Sequence, residues 1–250
     1  MTRKSVAFYS PGGGSGKTSL AINIAEVAAQ EQKKVLLADF SLAGGLEMFY
    51  KIAGNTSKGL GPLITRLEQG YLHLDNEAIH GAIYAHENHK NLHILTSPGL
   101  LAADRLDYKT SQNLVTALLK LSYDLVIFDC SSELSERTVA VLEQADRVMV
   151  PVLQDHMQVW KLLQMREVLE SLRIEWTKCS IILNRQSKMV PMDRGEVEVL
   201  TGLTITHAVQ DMGAECIELT NEGKGWQQLA NFKNRKIYPA FKKWSLGVIA

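Results

Sequence analysis

Residues 11–18 read Pro-Gly-Gly-Gly-Ser-Gly-Lys-Thr, directly after one apolar run and at the head of an amphipathic one. Glycines at 12, 13, 14 and 16 let a backbone curl without Cβ clashes, so that successive N–H groups point into one hollow. At a helix N-terminus such a hollow binds phosphate. In this reading Gly12, Gly13, Gly14, Ser15, Gly16, Lys17, Thr18 and Ser19 hold a nucleotide. Lys17 reaches the β- and γ-phosphates, and the Thr18 hydroxyl ligates Mg²⁺. The bland alternative is a glycine-rich turn before a chance Gly-Lys-Thr. The general pattern GxxxxGK[ST] also wants glycine at position 11, where this chain has Pro11.

Three further residues end apolar runs. Asp129 closes 124–128 and suits a carboxylate that holds Mg²⁺ directly or through water; a helix cap is the alternative. Asp39 closes 34–38 and lies where it can approach the Mg²⁺ or an attacking water; a helix cap is the equal alternative. Asn184 ends CSIILN and is followed by Arg185; its amide offers donors and an acceptor to an adenine edge. Lys17, Asp39 and Asp129 are therefore the candidate catalytic residues, and Thr18, Asp39 and Asp129 the candidate metal ligands.

The elements that must carry these residues alternate. Strands are predicted at 5–10, 34–40, 91–96, 124–130, 147–153, 179–184 and 204–209, most of them continuous apolar runs of the kind buried on both faces of a parallel sheet. Helical patterns lie at 17–31, 59–69, 74–84, 104–121, 135–145, 155–172, 193–201, 213–222 and 235–247. Such alternation predicts an α/β fold, a doubly wound and mostly parallel sheet flanked by helices. With no repeat and no linker, residues 1–250 read as one domain. The glycine-bearing segment 41–90 reads as an elaborated connection.

Composition sets the outer limits. The 250 residues carry 27 Lys+Arg and 27 Asp+Glu, which argues against a surface that coats nucleic acid everywhere. The balance is uneven. Residues 223–250 hold six basic and no acidic side chains, so residues 1–222 hold 21 basic and 27 acidic. The basic end, with Lys224, Lys233, Arg235, Lys236, Lys242 and Lys243 among aromatics, is either a closing helix with solvated lysines or a contact through 224–243 for an anionic surface, lipid or DNA. No apolar run reaches the ~18 residues of a membrane span, and no signal peptide is read, so a cytoplasmic location is expected, with peripheral attachment at a membrane or cell pole open. Cys130, Cys179 and Cys216 form no metal or disulfide pattern. Five histidines between 73 and 93 read as solvated loop residues. Met157, Trp160, Leu163 and Met165 are spaced mainly as a packing face, with a partner interface as the alternative.

Together these motifs resemble the ParA/MinD group of P-loop ATPases over nearly the whole chain. GGGSGKTSLAINIA is similar to that group's phosphate loop and first helix. KVLLADFSLAGGLEMFY resembles its first switch segment, and YDLVIFDCSSELSERTVAVLEQADRVMVPVLQD its Walker-B strand and second switch. IILNR resembles the base-reading strand, and ITHAVQD with ELTNEGKGW the ending that closes over the base, which adds Asp211 to the cofactor-binding set. The resemblance implies ATP/ADP and Mg²⁺ as cofactors, an ATP-favoured homodimer and a protein partner. Two positions depart from it. Gly12 stands where the group has a lysine that crosses the dimer, and Ser41 where it has a second carboxylate tied to water activation. Both changes imply weak or impaired hydrolysis with binding retained. Gln210 also replaces a frequent proline. The run 39–50 looks most like the CpaE/TadZ branch, which helps place pilus or secretion machinery at a cell pole. The expected function is thus a nucleotide-switched positioning or scaffold protein. The alternatives are a DNA-partitioning ATPase that binds DNA non-specifically as a dimer, and a cofactor- or metal-insertion ATPase.

Overall fold

A computed structural model describes residues 4–42, 44–52, 57–69, 75–231 and 235–249. In chain order the elements are β1 (Lys4–Phe8), α1 (Lys17–Gln30), β2 (Val35–Phe40), α2 (Gly45–Phe49), α3 (Leu60–Glu68), α4 (Asn76–Ala82), β3 (Tyr84–Ala85), β4 (Leu92–Leu95), α5 (Leu100–Ala103), α6 (Tyr108–Lys120), β5 (Leu125–Cys130), α7 (Glu136–Gln144), β6 (Arg147–Val152), α8 (His156–Ser171), β7 (Cys179–Gln186), α9 (Arg194–Thr201), β8 (Ile205–Gln210), α10 (Ala214–Glu222) and α11 (Ile237–Ile249). Short 3-10 turns occupy Trp176–Lys178 and Trp226–Asn231.

The strands form one eight-stranded sheet in the order β3-β4-β2-β5-β1-β6-β7-β8, parallel throughout except β3 against β4. The doubly wound α/β architecture expected from the alternation is present. Side chains alternate between two apolar layers, as the pleat requires. On one face Leu36, Ala38 and Phe40 share one apolar cluster with Leu63 of α3, Leu114 and Leu118 of α6, Val141 of α7 and Leu162 of α8. On the other, Val35 and Leu37 meet Leu20, Ile24 and Val27 of α1 and Phe241 of α11. β1 lies between β5 and β6, so the loop leaving it opens at the centre of the sheet's carboxyl edge, where the connections diverge to opposite sides. That is where open α/β sheets bind ligands.

Several local expectations change. The helix expected over 74–84 ends at Ala82, and Tyr84–Ala85 form an antiparallel edge pairing too short to leave a periodic signal. The helix expected over 104–121 starts at Tyr108, where Asp107 accepts the Thr110 amide; Leu100–Ala103 is a separate turn. The packing face of α8 is Val159, Leu162, Met165 and Leu169, whereas Met157 and Trp160 point outward. A strict three-residue step drifts off a face whose period is 3.6. His73 and Lys233 lie outside the described residues.

Candidate nucleotide-binding site

The site starts from β1, whose apolar residues bury it on both faces and stop at Ser10. Gly14 and Gly16 adopt φ of 72° and 91°, left-handed values that a side chain resists. Gly16 is further constrained, because a Cβ there would overlap the Asn184 amide. The loop feeds straight into α1. Lys17 is buried and its Nζ donates to Ser132 Oγ at 2.6 Å and to the carbonyls of Gly12 at 3.4 Å and Ser10 at 3.5 Å. Burial lowers the Lys17 pKa, and the charge of Asp129 opposes the shift. Space beside Gly13 and Gly14 is open, as a loop that admits phosphates requires.

Asp39 and Asp129 are partners in the β2–β5 ladder and both are fully buried. Burial raises both carboxyl pKa values, and for Asp129 the Asp39 charge adds to it. The two differ in what satisfies them. Asp39 accepts from the Ser41 amide and hydroxyl and from the Leu46 amide, so its oxygens anchor the turn after β2. Asp129 Oδ2 accepts from Thr18 Oγ1 at 2.6 Å, while Oδ1 is buried without a hydrogen-bond partner. A buried orphan carboxylate oxygen beside a hydroxyl, at the end of a phosphate loop, fits the oxygen chemistry of Mg²⁺. Thr18 and Asp129 would hold that ion, and it would supply charge neutralisation for phosphates.

Next to the loop, a cleft of about 370 Å³ is lined by Gly16, Ser19, Asn184, Arg185, Asp211 and Trp226, with Cys216 and Ile217 beside them. Its volume suits a nucleoside. Asn184, Arg185 and Asp211 therefore share one cavity. Asn184 does more than face it: its Nδ2 donates to Ser15 O at 2.7 Å and so ties β7 to the phosphate loop. Arg185 takes φ of 52° where β7 slips register against β8, a strained turn of the kind found at functional sites. Trp226, which the sequence left undecided, is buried in the cleft wall, and its amide donates to Asn23 Oδ1 at 2.6 Å. Ser132 and Gln158 also reach the loop, and no sequence signal marks either. Gln158 Nε2 donates to Gly13 O.

The sequence pattern of the family described as AAA domain matches residues 3–180. The chain belongs to that family. Its fold is the ParA/MinD-type P-loop fold. It superposes on the ParA family ATPase from Chlorobium tepidum with a TM-score of 0.83, covering 98% of this chain and 99% of that one at 21% identity. It superposes on the Mg-ADP complex of the septum site-determining protein MinD from Pyrococcus horikoshii with a TM-score of 0.79, covering 100% and 99% at 18% identity. A curated relative, the chromosome-partitioning ATPase Soj of Thermus thermophilus, is 34% identical over 149 residues, 59% of this chain and 53% of that protein. The chain thus spans about half the length of the curated relatives it matches.

The basic end of this P-loop chain is thinner than its composition suggests. Lys224 pairs with Glu222 and Lys242 with Glu31, which leaves Arg235, Lys236 and Lys243 as the exposed cations without an ion pair in the described part of 223–250. Trp244 stacks flat on His207 of β8, their ring centres 4.3 Å apart. No helix among the described residues is long and apolar enough to cross a membrane.

Proposed function

We propose that this chain is an ATP-binding, nucleotide-switched positioning protein with slow hydrolysis. The observation that carries the reading is the convergence on one sheet edge of an open phosphate loop, the Thr18–Asp129 pair with its orphan oxygen, and the nucleoside-sized cleft. Loop amides and Lys17 hold phosphates; Asn184, Arg185, Asp211 and Trp226 enclose the base. Slow turnover is supported by Ser41. Its hydroxyl is spent on Asp39, so the position that the resemblance assigns to an activating carboxylate offers none. ATP would favour a homodimer, and the dimer would recruit a protein of an assembly machine. The run 39–50 supports the pilus- and secretion-positioning branch, with the protein in the cytoplasm or peripheral at a membrane or pole.

A DNA-partitioning role is the second reading, favoured by the likeness to Soj and by exposed Arg235, Lys236 and Lys243. Light-scattering mass without nucleotide, with ADP and with ATP, beside Lys17→Ala, tests the switch. A dimer with ATP that Lys17→Ala loses is expected, and a mass indifferent to nucleotide refutes it. A gel shift that appears only with ATP and fades with salt would favour the DNA reading.

A further inference from the structure

Four glycines precede Lys17, and they are glycines for different reasons. Gly14 and Gly16 have left-handed φ, and Gly13 faces open space. Gly12 has neither property: its φ is one that any residue adopts, yet a Cβ there would overlap the side-chain amide of Gln158. That amide comes from α8, whose start is fixed nearby by two contacts. β6 pairs with β1 up to Phe8 and Met149. Asp155 then caps the helix by accepting the Met157 amide at 2.7 Å and the Gln158 amide at 3.2 Å. With Val159 buried against the sheet and Met157 exposed, Gln158 is directed along the boundary, over the loop. Its Nε2 donates to Gly13 O at 3.3 Å, while Lys17 Nζ holds the neighbouring Gly12 O. The Gly12–Gly13 peptides are thereby held on both sides, with their carbonyls occupied by side chains.

The geometry points to Gln158 as a latch on the phosphate loop, a positioning residue that keeps the loop in its phosphate-receiving shape from within the same chain. This rests on the nucleotide reading given above. A carbonyl held outward leaves the following amide free for phosphate, and a loop ordered beforehand does not lose that entropy on binding. The latch touches the loop rather than the terminal phosphate, so it acts on ADP and ATP alike.

A double-mutant cycle tests it. Binding of a fluorescent ADP analogue is titrated, with ADP and ATP by competition, for the wild type, Gln158→Ala, Gly12→Ala and the double variant, beside melting temperatures. Gln158→Ala is expected to weaken both nucleotides by the same factor, about fivefold to tenfold, as loss of one hydrogen bond implies. Gly12→Ala is expected to cost as much, because its methyl displaces the amide. The double variant is expected to bind no worse than either single one. Gln158→Glu, which keeps the shape but removes the donor and adds a negative charge, is expected to bind worst and to lose more for ATP than for ADP. Additive single costs, a Gly12→Ala penalty that persists without Gln158, unchanged affinities, or a Gln158→Ala loss confined to ATP would each overturn the latch. A wild type that binds no nucleotide refutes the site itself, and the latch with it.

Discussion

Glu26 gives a sharp test of how the cleft wall is held. It lies on α1 with its carboxyl buried, Oε2 lacking a hydrogen-bond partner, and a Cβ at Gly225 would overlap it. The groups that face it are Gln227 beside it in the chain segment that follows α10, Tyr50 after α2 and Tyr238 of α11, none of them cationic. Burial raises its pKa from 4.5 to about 7, with a Gln227 hydrogen bond opposing. The folded protein therefore keeps a proton there that the unfolded chain releases. Stability from this group is full below pH 4.5, falls as pH rises toward 7, and is level above it. At 1.36 kcal/mol per pKa unit the whole loss is about 3 kcal/mol, most of it between pH 5 and 8. Glu26→Gln keeps the shape and removes the titration. Melting curves of both proteins at half-unit pH steps should show the variant gaining on the wild type by about 5–10 °C from pH 5 to 8, at the few degrees per kcal/mol of a chain this size. A constant gap refutes a buried neutral carboxyl. A gap that favours the wild type at high pH means that the carboxylate is held charged.

Asn184→Ala removes the tie between β7 and Ser15 O; it should weaken ADP and ATP about tenfold and cost about 1–2 kcal/mol in denaturant unfolding, and unchanged affinity would show that the tie is incidental. Ser41→Asp should raise phosphate release about a hundredfold at saturating ATP, the lower end of what a placed base contributes, and an unchanged rate would free Ser41 from blame for slow turnover. Phe241→Leu should weaken nucleotide binding although Phe241 lies outside the cleft, because its ring packs edge-on against Trp226 with centres 4.7 Å apart. A lowered melting temperature with full affinity would refute that link.

Most of the longer strands were legible because burial on both faces writes itself as uninterrupted apolar runs, as in LVIF before Asp129; the edge strand β8, with its exposed positions, reads less cleanly. The phosphate loop was legible because its backbone shape demands glycine. What the sequence hid lies in side chains whose role is set by a neighbour far along the chain. Gln158 is 145 positions from Gly13, and Asn23 is 203 from Trp226. Asn184 was read for its amide, but its bond to Ser15 O depends on how β7 and the loop meet. Asp39 left two readings open, and its bonds to Ser41 and Leu46 depend on how the segment after β2 folds back, which no local pattern records. Met157 and Trp160 fell to the alternative reading, an exposed surface, because three apolar residues at equal steps suggest a stripe that a 3.6-residue period breaks.

The division of labour in the site bears on why binding and turnover can separate. In the proposed function, phosphate affinity would come from backbone amides, from Lys17 and from the Thr18–Asp129 pair, all fixed by β1, β5 and the start of α1. These are central, doubly packed elements, and altering them would disturb the core. Water activation would be supplied from the turn after β2, whose local bonds run from Asp39 to Ser41 and Leu46. A substitution in that turn leaves the central strands untouched, so a serine at position 41, where the resemblance has a carboxylate, would lower turnover without loosening the loop. Asp39 has three donors from its own turn, whereas Asp129 has one, and only Asp129 keeps an unpaired oxygen. Of these two carboxyls paired across the β2–β5 ladder, the one with an oxygen open to a cation is Asp129, the one that would hold Mg²⁺ in the proposed function. Asp39 instead anchors the segment after β2 through Ser41 and Leu46, which is the arrangement the proposed slow-cleaving switch would require.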